Sequence, residues 1–317
     1  MLFRSRNSFE NSFLYSVRYF DFITKKVFIL KDIILTKKPL RVILDKRTKN
    51  THKGDFGKVI IRAGSTGMIG AACLCAKAAL RTGAGLVTMA VSPQHFPIAQ
   101  ISIPEAMCCM VQETYKKALK SDAVVIGPGI GSDEDNKILI VNLMMEYEGT
   151  IVLDADGLNI MGDLLFDSSF PRKAKLIITP HEGEAAKLLK CSREDISAAR
   201  MECATILAAN LGAVTVLKGA GTVIANSDGD IYVNTTGNPG MATGGSGDVL
   251  SGMIGALCAQ GLSPEKSAAF GVYLHGMAGD MVAEEKGEYG MIASDIIEYI
   301  PYAIKRVINS LDRKSVV

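Results

Sequence analysis

From Lys58 onward, short apolar runs alternate with segments of helical period, and each run stops at a glycine-rich or polar loop. Strands buried on both faces read as unbroken apolar runs, so this alternation predicts an α/β chain whose parallel sheet is covered by helices on both sides. Val59-Ile-Ile61 leads through residues 64–70 into an Ala-rich helix over Ala71 to Thr82, and Leu86 to Val91 is the next strand. Ala123-Val-Val-Ile126 enters Gly127-Pro-Gly-Ile-Gly131, Ile151-Val-Leu153 enters Asp154-Ala-Asp156, and Leu176-Ile-Ile178 enters Thr179-Pro-His-Glu-Gly-Glu184. Val214 to Lys218, Thr222 to Ala225 and Ile231 to Asn234 read as antiparallel strands turning at Gly219-Ala-Gly221 and Asp228-Gly229. Helices from Pro264 to about Glu285 and from about Ile292 to Val307 close the chain. In open sheets of this kind ligands lie beyond the carboxyl ends of the strands, so these loops are expected to share one rim.

Met241-Ala-Thr-Gly-Gly-Ser-Gly-Asp-Val-Leu250 is the loop with the most chemistry in it. Its three glycines let main-chain N–H groups curl around an anion. The apolar spacing of Val249, Leu250, Met253, Ile254 and Leu257 starts a helix near Asp248, with its positive dipole end facing the loop. A carboxylate against a phosphate weakens binding unless it handles a proton or a metal, so Asp248 is read as a base. The structural alternative is a turn followed by an Asp N-cap.

The chain has 317 residues, 48% hydrophobic and 21% charged, enough for a large core, and a net charge of +2 gives no reason to expect nucleic acid as a partner. Seven cysteines without zinc-like spacing fit reduced, buried thiols in a cytoplasm. No apolar run reaches membrane-spanning length, so a soluble protein is expected. There is no Gly-x-x-x-x-Gly-Lys-Ser/Thr and no Gly-x-Ser-x-Gly, and Gly127-Pro-Gly-Ile-Gly131 falls short of a dinucleotide fingerprint. P-loop, serine-hydrolase and hydride-transfer chemistries are therefore unsupported. Residues 1–49 form a basic, aromatic-rich extension: the first fifty residues hold twelve Lys/Arg against four Asp/Glu. An inflated gene start is the expected explanation, with Val27 as a candidate start, and a transit peptide over the first twenty residues is the alternative.

His52-Lys-Gly-Asp-Phe-Gly-Lys58, Ala63-Gly-Ser65 with Gly70-Ala-Ala72, Gly127-Pro-Gly129, Leu153-Asp-Ala-Asp156, Thr179-Pro-His-Glu-Gly-Glu184, Lys218-Gly219 and Gly237-Asn-Pro-Gly-Met-Ala-Thr-Gly-Gly-Ser-Gly-Asp248 occur in one order. Together they strongly resemble the ADP-dependent (S)-NAD(P)H-hydrate dehydratases, over residues 50–317. The resemblance implies a ribokinase-like three-layer α/β/α fold with a mostly parallel central sheet. It also implies a repair reaction in which NADHX or NADPHX is dehydrated to NADH or NADPH as ADP becomes AMP and phosphate, with ATP as the other nucleotide to test.

On that resemblance, Asp248 is the catalytic base, and Ala71, Gly129, His181 and Asp248 contact the hydrated dinucleotide. Lys218, Gly219, Ala220, Gly221, Thr222 and Gly247 hold the nucleotide, and the N–H groups of Thr243, Gly244, Gly245, Ser246 and Gly247 form the anion hole. Mg²⁺ is expected to bridge the nucleotide phosphates, with Glu184 ordering metal or water indirectly. Each residue has a plainer reading. Ala71 is otherwise core, Gly129 a turn, His181 a hydrogen-bonded structural histidine, Lys218 a solvated strand end, and Glu184 an acid stabilising its own helix. Asp154 and Asp156 stand at a strand end on the expected rim, where they serve equally as helix caps. Three residues depart from the family pattern: Ser246 where Thr is frequent, Ile69 where Pro is frequent, and Arg62 at a usually apolar strand end. The extension is too short for the family's epimerase domain, so a separate epimerase is expected, together with a cytoplasmic homotetramer. The runner-up reading is a ribokinase-fold kinase for a vitamin precursor, and a third is a nucleotide-binding regulator without turnover.

Overall fold

Runs that are apolar on both faces form the central strands of the sheet. The computed structural model describes residues 26–29, 49–167 and 171–313. Ten strands, β1 (Lys26–Ile29), β2 (Lys58–Arg62), β3 (Leu86–Ala90), β4 (Met107–Cys109), β5 (Ala123–Ile126), β6 (Thr150–Leu153), β7 (Lys175–Ile178), β8 (Val214–Leu217), β9 (Val223–Ala225) and β10 (Asp230–Val233), form one sheet. Their order is β1-β10-β9-β8-β7-β6-β5-β2-β3-β4. Every pairing is parallel except β8 with β9 and β9 with β10, which are antiparallel as the turns predict. Strands β5, β6 and β8 are buried along their whole length, matching sequences in which only Thr150 and Thr215 are not apolar.

The helices are α1 (Ile69–Thr82), α2 (Phe96–Ser102), α3 (Thr114–Ala118), α4 (Glu134–Glu146), α5 (Asp156–Met161), α6 (Glu182–Leu189), α7 (Arg193–Ala198), α8 (Arg200–Leu211), α9 (Ser246–Ala259), α10 (Pro264–Lys286) and α11 (Ala293–Arg313). They divide the core in two. On one face Val59, Ile61, Val125, Val152 and Val216 pack with α1, α9, α10 and α11. On the other, Ile60, Val124, Ile126, Ile151 and Leu176 pack with α4, α5, α6 and α8. This is the three-layer α/β/α arrangement.

From β2 the chain moves outward through α1 to β3 and β4, then returns to β5 on the opposite side of β2 and continues to β6, β7 and β8. The direction reverses between β2 and β5, and a crevice opens at such a switch point. The loops after β2 and β5 flank it.

Two strands lie outside the expectations. β4 is three residues long and only partly buried, too short to carry a period. β1 belongs to the basic extension and pairs in parallel with β10, from Lys26 against Asp230 to Ile29 against Val233. The transit peptide considered for the first twenty residues falls outside the described residues. All seven cysteines are free.

Close approach of α1 and α9 sets the height of the loop over residues 243–247. A Cβ on Gly252 would stand 2.1 Å from the Cys75 carbonyl oxygen of α1, and one on Gly255 would stand 2.3 Å from Val125 Cγ2 of β5. Gln260 Nε2 donates to Thr82 O at 3.3 Å at the far ends of the same two helices. α1 and α9 therefore run side by side in one direction, with both amino ends at the rim. An alanine at position 252 would gain up to about 1 kcal/mol in helix propensity, yet overpacking against a backbone oxygen costs about 1–3 kcal/mol. Gly252→Ala is accordingly expected to lower the urea-unfolding free energy by about 1–2 kcal/mol; an unchanged or raised midpoint would show that the two helices are not held in contact there.

Candidate active site

Gly245 adopts φ 87°, a left-handed conformation that a side chain disfavours, and a Cβ there would stand 2.4 Å from Leu74 Cδ1. The glycine turns the chain into α9, which begins at Ser246, two residues earlier than expected. Ser246 N donates to Thr243 O at 3.3 Å, so that amide of the expected anion hole is spent within the turn. Gly247 and Asp248 lie in the first turn of α9, where N–H groups precede any acceptor of their own helix. Asp248 also sits at the positive end of that helix, yet its pKa is raised from 3.8 to about 6, first by burial and then by the charge of Asp154, with that of Lys218 opposing the rise.

Asp154 is the residue beneath this loop and was left outside the expected site. It is 1% exposed. Its Oδ1 accepts from Lys218 Nζ at 2.7 Å and from Ala155 N at 2.9 Å, while its Oδ2 accepts from Ser251 Oγ of α9 at 2.7 Å. One carboxylate thus joins the ends of β6 and β8 to the first turns of α9. For Lys218, burial pulls the pKa down, but the charges of Asp154, Glu184 and Asp248 and the Asp154 hydrogen bond outweigh it, and the ammonium is held above its ordinary value. A Cβ on Gly247 would stand 3.5 Å from Lys218 Nζ, so the amine lies directly against the loop.

The segment after Lys218 is fixed from below. Lys218 N donates to Pro180 O at 2.9 Å, and Thr222 Oγ1 donates to Gly219 O at 3.0 Å. Arg200 Nη2 donates to Leu217 O at 3.1 Å and Lys218 O at 3.3 Å, while its Nη1 pairs with Glu182. Gly219 has φ 144°, and a Cβ there would meet Arg200 Nη1 at 2.9 Å. Nothing in the sequence around Arg200 marks it, since an arginine opening a helix is ordinary.

His181 and Glu184 cap α6 reciprocally. Nδ1 of His181 accepts from Gly183 N at 2.9 Å and Glu184 N at 3.2 Å, and Glu184 Oε2 accepts from His181 N at 2.8 Å. The remaining carboxylate oxygen lies 3.4 Å from His181 Nε2. Glu184 is therefore engaged in stabilising its own helix, the plainer of its two readings, while the His181 ring remains 55% exposed at the rim. Among the described residues no group of three or more His, Cys, Asp or Glu converges as a metal cage. A divalent cation here would take most of its ligands from phosphate and water, which suits a donor set limited to Asp154, Glu184 and Asp248.

Ala71 and Gly129 meet across the switch point. A Cβ on Gly129, where φ is 63°, would stand 3.3 Å from Ala71 Cβ. Gly64 N donates to Pro128 O at 2.8 Å, and Asp156 Oδ2 accepts from Gly131 N at 2.9 Å. His275 of α10, also missed in the sequence, lies with Nε2 3.4 Å from Ser246 Oγ. Burial lowers its pKa to about 4, with Lys218 adding to the fall and a bond to the Ser246 backbone opposing it, so the ring is neutral near pH 7. The expected residues thus lie along one rim, between α9 and the loops after β2, β5, β7 and β8.

A family model described as NAD(P)H-hydrate dehydratase matches residues 59–302. The ADP-dependent (S)-NAD(P)H-hydrate dehydratase of Neisseria meningitidis serogroup B is 37% identical over 273 residues, covering 85% of this chain and 92% of that protein. The bifunctional NAD(P)H-hydrate repair enzyme Nnr of Coxiella burnetii is 43% identical over 261 residues, covering 81% of this chain and 52% of that protein. The chain spans about half the length of the bifunctional relatives it matches. Among solved structures, the ADP/ATP-dependent NAD(P)H-hydrate dehydratase of Bacillus subtilis, co-crystallized with ATP/Mg²⁺, superposes with a TM-score of 0.77 at 30% identity, covering 90% of this chain and 99% of that one.

A raised pKa at Asp248 means that folding disfavours its ionised form. The penalty is absent below pH 3.8 and complete above about pH 6. Asp248→Asn is therefore expected to be more stable than the parent at pH 8, by about 1–3 kcal/mol, with the difference vanishing near pH 4. Equal stability across that range, measured by denaturant unfolding, would show that the carboxylate is not held in an unfavourable environment.

Proposed function

The chain belongs to the NAD(P)H-hydrate dehydratase family, and on that premise we propose that it restores NADH and NADPH from the S epimers of NADHX and NADPHX at the expense of ADP. The observation that carries this reading is a half-buried carboxylate, with a pKa of about 6, at the mouth of an amide-lined helix start. Such a group is ionised at neutral pH yet basic enough to accept a hydroxyl proton.

Hydroxide leaves the hydrated nicotinamide ring poorly, and phosphate leaves well. Transfer of the terminal phosphoryl group of ADP to the C6 hydroxyl forms the new O–P bond, breaks the phosphoanhydride bond and releases AMP, while Asp248 takes the hydroxyl proton. The ring nitrogen's electron pair then expels phosphate, and loss of the C5 proton completes the double bond. The free amides of the Thr243–Gly247 turn would hold the charge growing on the phosphoryl oxygens, each worth about 3 kcal/mol when well aimed. Lys218 adds a fixed positive charge beside them, and Asp154 keeps it there. Mg²⁺, when bound, would offset phosphate charge. Lys218, Gly219, Ala220, Gly221, Thr222 and Gly247 are assigned to the nucleotide, and Ala71, Gly129 and His181 to the hydrated dinucleotide. Support for the division comes from the fold: the first set surrounds the β8–β9 turn and α9, and the second lines the switch point and the α6 cap.

The catalytic unit in this reading is residues 50–317, acting in the cytoplasm with an NAD(P)HX epimerase activity supplying the S form. A homotetramer is assigned as well. Support for oligomerisation comes from apolar side chains exposed beside the β4 edge, with Ile98 at 49%, Ile101 at 83% and Met107 at 46%.

Incubating the protein with NADHX, ADP or ATP, and Mg²⁺ tests the reading. Recovery of the NADH absorbance is the expected result, a stable phosphorylated alcohol would indicate a kinase, and binding without product a regulator. Asp248→Asn should reduce turnover by a factor of about 10³ or more while leaving nucleotide affinity within about threefold. Undiminished turnover would remove Asp248 from the mechanism.

A further inference from the structure

Arg62 is a buried cation at the switch point that the mechanism has not used. It ends β2, it is 5% exposed, and it stands in register with Ile126 of β5 on one side and Ala90 of β3 on the other. Its side chain bridges the loop after β2 and the first turn of α4, which follows the loop after β5. Nη1 donates to Gly64 O at 3.1 Å, and Nε donates to Asn136 Oδ1 at 3.1 Å. Asn136, itself 3% exposed, donates in turn to Ile130 O at 3.2 Å. The Arg62 carbonyl accepts from Gly127 N at 3.1 Å. A continuous line of hydrogen bonds thus runs from Gly64 through Arg62 and Asn136 to Ile130, under the place where Gly129 and Ala71 meet.

The charge is the second observation. Among the described residues no carboxylate lies within 4.0 Å of the guanidinium. Burial lowers its pKa, and Asp133 offsets this only from beyond ion-pair distance. A buried cation without a paired anion is costly, and hydrogen bonds to neutral amides compensate it incompletely. An apolar residue at this strand end would pack without that cost. A buried cation at the switch point is complementary to an anionic ligand bound there.

We infer that Arg62 is a positioning residue for the dinucleotide half of the site: it braces the loops after β2 and β5 around Ala71 and Gly129 and supplies the positive charge that favours an anionic dinucleotide there. This rests on the assignment of those loops to the dinucleotide. It does not concern ADP, whose assigned loops leave β8 and precede α9.

Equilibrium binding tests it without relying on turnover, so it can fail separately from the repair reaction. NADH binding, followed by its own fluorescence, and ADP binding, followed by calorimetry, are compared in the full-length parent, Arg62→Met and Arg62→Lys. Arg62→Met is expected to weaken NADH about tenfold and ADP less than about twofold, and Arg62→Lys to recover most of the NADH loss. If Arg62→Met does not fold, Arg62→Gln, which keeps a donor for Gly64 but no charge, replaces it and must show the same split. Unchanged NADH affinity, a parallel loss of both ligands, or a lysine variant no better than the uncharged one would each overturn the inference.

Discussion

A lysine from the end of one strand and an aspartate from the end of another, both withdrawn from water, hold this site together. Desolvating two charges is expensive, and the Lys218–Asp154 contact at 2.7 Å compensates only because Asp154 also receives Ser251 Oγ and Ala155 N. The pair fixes where the β8–β9 turn lies relative to α9. It also acts on Asp248, whose carboxyl is pushed toward protonation first by burial and then by the same buried anion that anchors Lys218, with the Lys218 charge opposing. Anchoring and pKa tuning are thus two consequences of one placement.

The glycines around this pair belong to the same constraint. Gly127 has φ 132°, and a Cβ there would stand 1.8 Å from Asp154 O, so the loop after β5 reaches the end of β6 only without a side chain. Gly252 and Gly255 let α9 settle onto α1 and β5, which places the amino end of α9 over the strands. A sheet with its order reversed between β2 and β5 supplies a crevice, and these close approaches bring the anion loop to its edge.

Much of the framework was legible because burial on two faces leaves an apolar signature. The runs at Ala123–Ile126 and Lys175–Ile178 were read to within a residue, and the antiparallel excursion was marked by Gly221 and Gly229 with positive φ. The place of Asp248 in the first turn of α9 was legible from the loop that precedes it, and the family resemblance held over the matched residues. Sequence alone did not separate the two readings of Asp154, since a carboxylate after an apolar strand is either a cap or a buried ligand, and only its distance to Lys218 decides. Arg200, His275 and the Arg62–Asn136 bridge join residues 17 to 74 positions apart and leave no local pattern. Glu184 is a further case: its side chain forms a reciprocal helix cap with His181, a contact that its motif does not distinguish from metal handling.

The central claim, that Asp248 is a base tuned by the anion beneath it, is most directly tested by the pH dependence of kcat/KM in the parent protein and in Asp154→Asn. The free-enzyme profile of the parent should show an acidic limb near pH 6, the pKa of Asp248. Removing the Asp154 charge favours ionised Asp248 and frees Lys218 to stabilise it, so the limb should move to lower pH in the variant. A limb that stays in place, or moves upward, would contradict the account.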